Sequence, residues 1–289
     1  ALDGNGDLLA GTDNGLYVYH NDTTPLQHII HDSRNIQSLT NNIIWNIFAD
    51  QEHNIWLGTD YGISLSRYNS ALQFIPISQI TGTGDGNQFY SLFRDSKGFY
   101  WFGGANGLIR FTDPAGERHD AIWYRMGDKT YPLSHNRIRH IYEDKEQQLW
   151  IATDGSINRY DYATRQFIHY NIVDNTGTYN TNWTYYIFED TAGQLWISTC
   201  LGGIFVVDKR KLMQSTSGQY IAEQNYSVHN GLSGMFINQI IPDNEGNVWV
   251  LLYNNKGIDK INPRTREVTK LFADELTGEK SPNYLLCDE

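Results

Sequence analysis

The sequence predicts an all-β fold made of repeated four-stranded units, and three observations carry that prediction. A short phrase recurs along the chain: Asp, a tight turn, an apolar residue, Trp, a small pair, then Gly and an apolar stretch. Its six copies start at Asp3, Asp50, Asp95, Asp144, Asp190 and Asp243, at spacings of 47, 45, 49, 46 and 53 residues. Strand formers dominate the apolar runs, and aromatics make up 13% of the chain, enough for a large β core. A period of about 40–50 residues without a helical pattern suits one propeller blade of four strands. The 289 residues therefore read as a single β-propeller of about six blades.

Aligning the copies on the Asp places four strands in each blade. The first precedes the Asp, at 43–49, 89–94, 138–143, 184–189 and 237–242. A turn follows, as in Asp95-Ser96-Lys97-Gly98, where Asp accepts bonds from following amides and Gly takes a positive φ. His53 and Gln147 stand in place of that Gly in two copies, so strain or a different turn shape is expected there. The second strand carries Trp56, Trp101, Trp150, Trp196 or Trp249, with Leu9 in the first copy. These indoles are expected in the core, each needing one partner for its N–H. A second turn leads to the third strand, at 63–68, 108–111, 157–160, 204–207 and 258–261, and a weaker fourth strand, such as 73–77 or 166–170, completes the unit. The blade cores fall near 3–30, 43–77, 89–125, 138–170, 184–228 and 237–272. The segment 281–288 has the shape of a first strand ending in Asp288, and the blade that begins at Asp3 lacks one. The tail is expected to pair there and seal the ring. The competing reading is a slice of a longer array.

Composition narrows the function. A net charge of −11 argues against a nucleic-acid partner, which would need Lys and Arg to neutralise phosphates. Cys200 and Cys287 occupy different repeat positions, so no disulfide is expected between them. No apolar run approaches the roughly 18 residues of a membrane span, no signal sequence is visible, and the chain begins in mid-motif, as a piece of something longer would. No nucleophile elbow, phosphate loop, zinc spacing or HExxH stretch occurs, so no cofactor is expected. Asp3, Asn5 and Asp7 alternate like the start of a calcium loop, but Leu8 sits where the sharp-turn Gly belongs. The nine His residues are scattered and read as solvated.

The phrase Asp-x-x-Gly-Asn-(Leu/Ile)-Trp-(Ile/Leu)-Gly-Thr-x-x-Gly-Leu, with Ser-Leu-Ser/Thr-x-Asn-x-Ile before it, resembles the two-component regulator propeller repeat. Ser38 to Ile44 and Pro132 to Ile138 supply the leading half; Asp50 to Ile63, Asp95 to Leu108, Asp144 to Ile157 and Asp190 to Ile204 supply the rest. Leu9 for Trp, and Val250-Leu251-Leu252 in place of the small pair, depart from the pattern. The resemblance implies the periplasmic sensor region of a hybrid two-component system, detecting extracellular oligosaccharides and controlling a cytoplasmic histidine kinase. It also implies neighbouring propeller and β-sandwich domains in the same chain.

The copies themselves point to a site. Seven and five residues before each Asp stand Ile43/Trp45, Gln88/Tyr90, Arg137/Arg139, Trp183/Tyr185, Phe236/Asn238 and Ser281/Asn283, whereas later first-strand positions stay apolar. Packing therefore fixes the later positions and not these. Trp45, Tyr90, Arg137, Arg139, Trp183 and Tyr185 are expected to ring one mouth of the channel, with Asp60, Asn106 and Asp154 on neighbouring turns facing the same side. Aromatic faces beside fixed donors and acceptors suit a sugar, and Arg137 and Arg139, two apart on one strand, could clamp a sulfate or carboxylate. The alternative is that these side chains plug the channel or meet a neighbouring domain; a homodimer is a further possible partner of the chain. The expected function is a non-enzymatic, ligand-sensing propeller. The alternatives are a propeller lyase or glycoside hydrolase, and a structural or dimerisation module, since the fold hosts all three.

Overall fold

Each repeat Asp organises its turn and its Trp with one carboxylate. Oδ1 accepts the backbone N–H four residues on, from Asp7, Asn54, Phe99, Gln148, Gln194 and Asn247, at 2.8–2.9 Å. Oδ2 accepts the indole N–H of Trp56, Trp101, Trp150, Trp196 and Trp249 at 2.7–2.9 Å. The two sequence expectations, an Asp turn and a partnered indole, are thus one device. His53 and Gln147 both take φ +62°, the left-handed conformation Gly98 holds at +86°. The turn keeps its shape at their expense, about 1–2 kcal/mol each for a non-Gly residue.

The computed structural model describes residues 1–20, 25, 27–68, 74–76, 88–112, 121–130, 132–216, 218–253, 257–271 and 284–285. It divides into two compact units, Ala1–Asp128 with Asn136–Ile141, and Lys129–His135 with Tyr142–Glu289. The first unit holds three antiparallel sheets in chain order: Leu8–Thr12, Gly15–Tyr19 and Gln27–Ile29; Ile44–Ala49, Ile55–Thr59, Gly62–Ser66 and Phe74–Pro76; Phe89–Arg94, Tyr100–Gly104, Gly107–Phe111 and Ile122–Tyr124. The second unit holds Leu149–Thr153, Ser156–Asp161 and Gln166–Tyr170; then Thr184–Glu189, Gln194–Thr199, Ile204–Asp208 and Gln224–Tyr226; then Ile237–Pro242, Val248–Leu252, Ile258–Ile261 and Val268–Leu271. Ile138–Glu143, the first strand of the fourth repeat, lies across the division. Most of these bounds fall within a residue of those read from the sequence.

The core lies between consecutive sheets. In the first unit, Leu9, Leu16 and Val18 pack with Ile44, Ile55 and Leu57, and Trp56, Ile63 and Leu65 pack with Phe89, Tyr100, Phe102 and Phe111. The small residue after Trp sets the approach. A Cβ on Gly58 would sit 2.7 Å from the Phe89 carbonyl oxygen, and one on Gly103 would sit 2.4 Å from Ile138 Cγ2. Gly is there because the next first strand lies against it. The leading Ser-Leu segment is pinned within its own repeat: Leu39, Leu133 and Leu232 are buried, and the N–H groups of Thr40, Ser134 and Ser233 donate to Ser64 Oγ, Asn158 Oδ1 and Asp259 Oδ2.

Three features depart from the sequence reading. A six-residue helix, Lys209–Gln214, interrupts the fifth repeat; Asp208 caps it by accepting from Lys211 N–H at 3.1 Å. A parallel pair, Ile172–Val173 with Tyr220–Ile221, decorates the same unit. Neither repeats along the chain, so neither left a periodic signal. The first repeat does not wholly lack its first strand either. Ala1 and Leu9 exchange backbone bonds of 3.1 and 2.7 Å, and Leu2 bridges Leu8. The closing strand expected at 281–288 lies outside the described residues, apart from Tyr284 and Leu285. Leu285 is held by both atoms of the Gln239 carboxamide, at 2.7 and 3.1 Å. In the first unit Ser91 Oγ accepts from Ile141 N–H at 3.0 Å in the same register. Leu285 thus meets Gln239 at the offset at which Ile141 meets Ser91.

Candidate functional site

The first strand and the second-to-third-strand turn meet at one end of each sheet. Backbone bonds of 2.9–3.0 Å run from Asp60 to Ile43, Ala105 to Gln88, Cys200 to Trp183 and Tyr253 to Phe236. Just beyond each bond the ladder slips. The register skips one residue between Ile44 and Asn46, Phe89 and Ser91, Thr184 and Tyr186, and Ile237 and Gln239. The skipped residues are Trp45, Tyr90, Tyr185 and Asn238, the variable column read from the sequence. A bulge takes a residue out of the ladder and re-aims its side chain. That is why the ladder does not fix the residue type in this column.

In the first unit the structure brings four of the expected residues together. Trp45, 51% exposed, donates its indole N–H to Asp60 Oδ1 at 3.1 Å. Gln88 Nε2 donates to the same oxygen at 2.7 Å, and Gln88 Oε1 accepts the Tyr90 hydroxyl at 2.5 Å. The Tyr90 ring stands edge-on to Trp45 at 5.6 Å between centroids, and the Arg139 guanidinium lies 5.8 Å from the Tyr90 centroid. Trp45, Asp60, Gln88, Tyr90 and Arg139 thus form one array of aromatic and polar groups from three successive repeats. Sequence reasoning placed Gln88 in the variable column but not in the site. The available signal was its position seven residues before Asp95, which sets a long amide beside the preceding turn.

The remaining candidates fall as follows. Arg137 is exposed just before the strand that carries Arg139, and Asn106 is exposed with its carbonyl accepting Arg125 Nε at 3.2 Å. In the second unit, Trp183, 48% exposed with φ +55°, donates its backbone N–H to the Asp154 carbonyl at 3.0 Å, and Tyr185 is half-buried. Leu201, Phe236 and Tyr253 are exposed at the same sheet ends. Among the described residues no group of His, Cys, Asp and Glu is placed to hold a metal ion, and no helix is long and apolar enough to cross a membrane.

The titratable group with the most neighbours lies elsewhere. Lys209 is buried against Asp144 Oδ2 at 3.1 Å, Glu189 Oε1 at 2.6 Å and Glu146. Burial alone would favour its neutral form; the ion pairs with Glu146, Glu189 and Asp144 outweigh that and raise its pKa. A lysine held protonated in this way is a structural cation, not a nucleophile.

Residues 38–61, 83–106 and 132–155 match the model of the two-component regulator propeller repeat. A crystallised extracellular domain from B. thetaiotaomicron, described as that of the hybrid two-component system BT4673, is 99% identical over 100% of this chain, with a TM-score of 0.73. The present chain spans 39% of that domain's length. The extracellular domain of BT3049 from the same organism is 23% identical over 94% of this chain and 33% of its own, with a TM-score of 0.72. A virginiamycin B lyase from Staphylococcus aureus is 12% identical over 93% of this chain and 82% of its own, at 0.65. These last two likenesses concern the fold alone. None of the curated proteins matches the chain.

Proposed function

We propose that this chain is the ligand-sensing part of the extracellular domain of a hybrid two-component regulator, and that its ligand is an oligosaccharide. The observation that carries the reading is the placement of exposed Trp45 and half-buried Tyr90 on first-strand bulges beside Asp60 and Gln88, in repeats that match a regulator family. A bulge frees a column for recognition without disturbing the Asp–Trp scaffold beneath it. Indole and phenol faces beside carboxylate and amide groups match the alternating C–H faces and hydroxyls of a sugar. The segment itself acts without turnover: bound sugar signals by favouring one arrangement of the domain over another, and the histidine kinase reads that difference. Such a shift requires unequal affinity for the two arrangements.

The same reading takes the six repeats as blades of one propeller, with the contact of Leu285 and Gln239 supporting a strand at 281–288. A structure of the complete domain pairing 281–288 with residues other than 8–12 would remove the idea of a seal. The functional reading is tested by titration calorimetry of the complete extracellular domain against neutral, uronate-containing and sulfated oligosaccharides. Binding of at least one class supports it, and silence across all of them sinks it. Consumption of any of these glycans, lost in Asp154→Asn, would install a lyase or hydrolase in its place.

A further inference from the structure

The array in the first unit has a donor–acceptor balance that narrows the ligand. Asp60 Oδ1 already accepts two bonds, from Trp45 Nε1 and Gln88 Nε2. Among the described residues Oδ2 of the same carboxylate accepts none, and Asp60 is only partly buried. Because its N–H is committed to Asp60, Trp45 is held by its edge and cannot turn it toward a ligand. What the indole offers is its half-exposed face, braced on one side by Tyr90 at 5.6 Å and 80°. One fixed carboxylate oxygen beside one fixed aromatic face requires a partner with hydroxyl donors next to an apolar C–H surface.

Resting on the sensing reading above, we propose that Trp45, Asp60, Gln88 and Tyr90 form a subsite for a single neutral pyranose. The sugar ring stacks on the Trp45 face, and one of its hydroxyls donates to Asp60 Oδ2. Gln88 and Tyr90 are positioning residues: the Tyr90 hydroxyl fixes the Gln88 amide, and the amide and indole together fix the carboxylate. The sugar is neutral because a uronate or sulfate in this place would bring a second anion against Asp60, on a chain already at −11. Arg139 does not reverse this balance. Its guanidinium lies 5.8 Å from the Tyr90 ring centroid and forms no ion pair with Asp60 among the described residues. The proposal replaces the expectation of an Arg137–Arg139 anion clamp with a carboxylate-centred site.

The test uses the complete extracellular domain and short gluco-, galacto-, manno- and xylo-oligosaccharides, beside galacturono-oligosaccharides and sulfated oligosaccharides. Calorimetry is run on the wild type, Trp45→Ala, Asp60→Asn and Gln88→Leu, with a thermal melt of each. Asp60→Asn keeps an oxygen for the Trp45 and Gln88 donors, so it separates loss of binding from loss of fold. A neutral oligosaccharide should bind the wild type, about tenfold or more weaker after Trp45→Ala and roughly tenfold weaker after Asp60→Asn, at unchanged melting temperature. Gln88→Leu should weaken binding less. Neutral binding indifferent to Trp45→Ala and Asp60→Asn overturns the subsite and leaves the sensing reading standing. Binding of charged glycans alone overturns the neutral assignment. Silence with every probe overturns the sensing reading, and the subsite with it.

Discussion

The contact that makes each repeat fit its successor predicts what one methyl group at Gly103 will do. A Cβ there would lie 2.4 Å from Ile138 Cγ2, 2.8 Å from Ile138 Cβ and 3.4 Å from Ile141 Cδ1. Ile138 is fully buried, so its side chain has no empty space to enter. Overpacking of this kind costs about 1–3 kcal/mol. Gly103 has no positive φ, so Ala also recovers about 0.4–1 kcal/mol by restricting the unfolded chain. Gly103→Ala should therefore lose about 1–2 kcal/mol net. Ile138→Ala alone should lose about 2–5 kcal/mol through the cavity it leaves. Together the new methyl fills part of that cavity, and the pair should be about 1 kcal/mol or more better than additive. Denaturant unfolding of the four proteins gives these values from the midpoints, provided the slopes agree. Gly58 supplies the contrast: its Cβ would meet the Phe89 carbonyl oxygen at 2.7 Å, backbone that no side-chain truncation removes. Gly58→Ala with Phe89→Ala should be additive. Additivity at the Gly103–Ile138 pair would refute the claim that the small residue exists to admit the next strand.

Three further outcomes follow from the buried charges. Lys209→Met should cost about 3–5 kcal/mol, measured by equilibrium unfolding at neutral pH, because the almost fully buried Asp144 and Glu189 carboxylates lose their cation. Burial works against the Asp243 carboxylate, but bonds from the Asn247 amide, the Trp249 indole and the Asn247 and Glu245 backbone outweigh it and hold its pKa at about 2. A depressed folded pKa gives stability that is complete above the unfolded value and lost as pH falls toward 2. Wild type should therefore shed up to about 2 kcal/mol through this group between about pH 4 and 2, and Asp243→Asn should flatten that part of the profile. Burial raises the pKa of Asp259 despite bonds from Ser233, and the equivalent residue in the fourth repeat is Asn158, which serves Ser134 in the same way. Raised above its unfolded value, Asp259 costs stability once ionised, so Asp259→Asn should be neutral or stabilising at pH 7. A thermal-melt advantage should fade as pH falls through the raised folded pKa and be gone below the unfolded one.

Much of the fold was legible because it was written several times. The Asp, the left-handed turn position and the Trp recur in register, so even His53 and Gln147 could be placed as misfits in a known turn. What occurred once was not legible: the helix at Lys209–Gln214 uses the sequence Lys-Arg-Lys-Leu-Met-Gln, too short to show a helical period, and the parallel pair joins residues nearly fifty apart through two dipeptides. The site was half legible. Comparing copies exposed the variable column, but only the ladder shows that Trp45, Tyr90 and Tyr185 sit on bulges. Gln88 escaped notice because its role comes from reaching a carboxylate 28 residues earlier, on the preceding repeat. The Asp–Trp bond has a similar lesson. Both residues were read as structural, yet the six-residue spacing that makes them partners was not used.

The claim that recognition lives on the bulged column, above an inert Asp–Trp scaffold, can be watched directly by hydrogen–deuterium exchange of the complete extracellular domain with and without a bound oligosaccharide. New protection should appear at 43–46, 59–61 and 88–90, with the turns that follow Asp50 and Asp95 unchanged. Protection confined to those turns, or absent from all three segments while the sugar is bound, would contradict it.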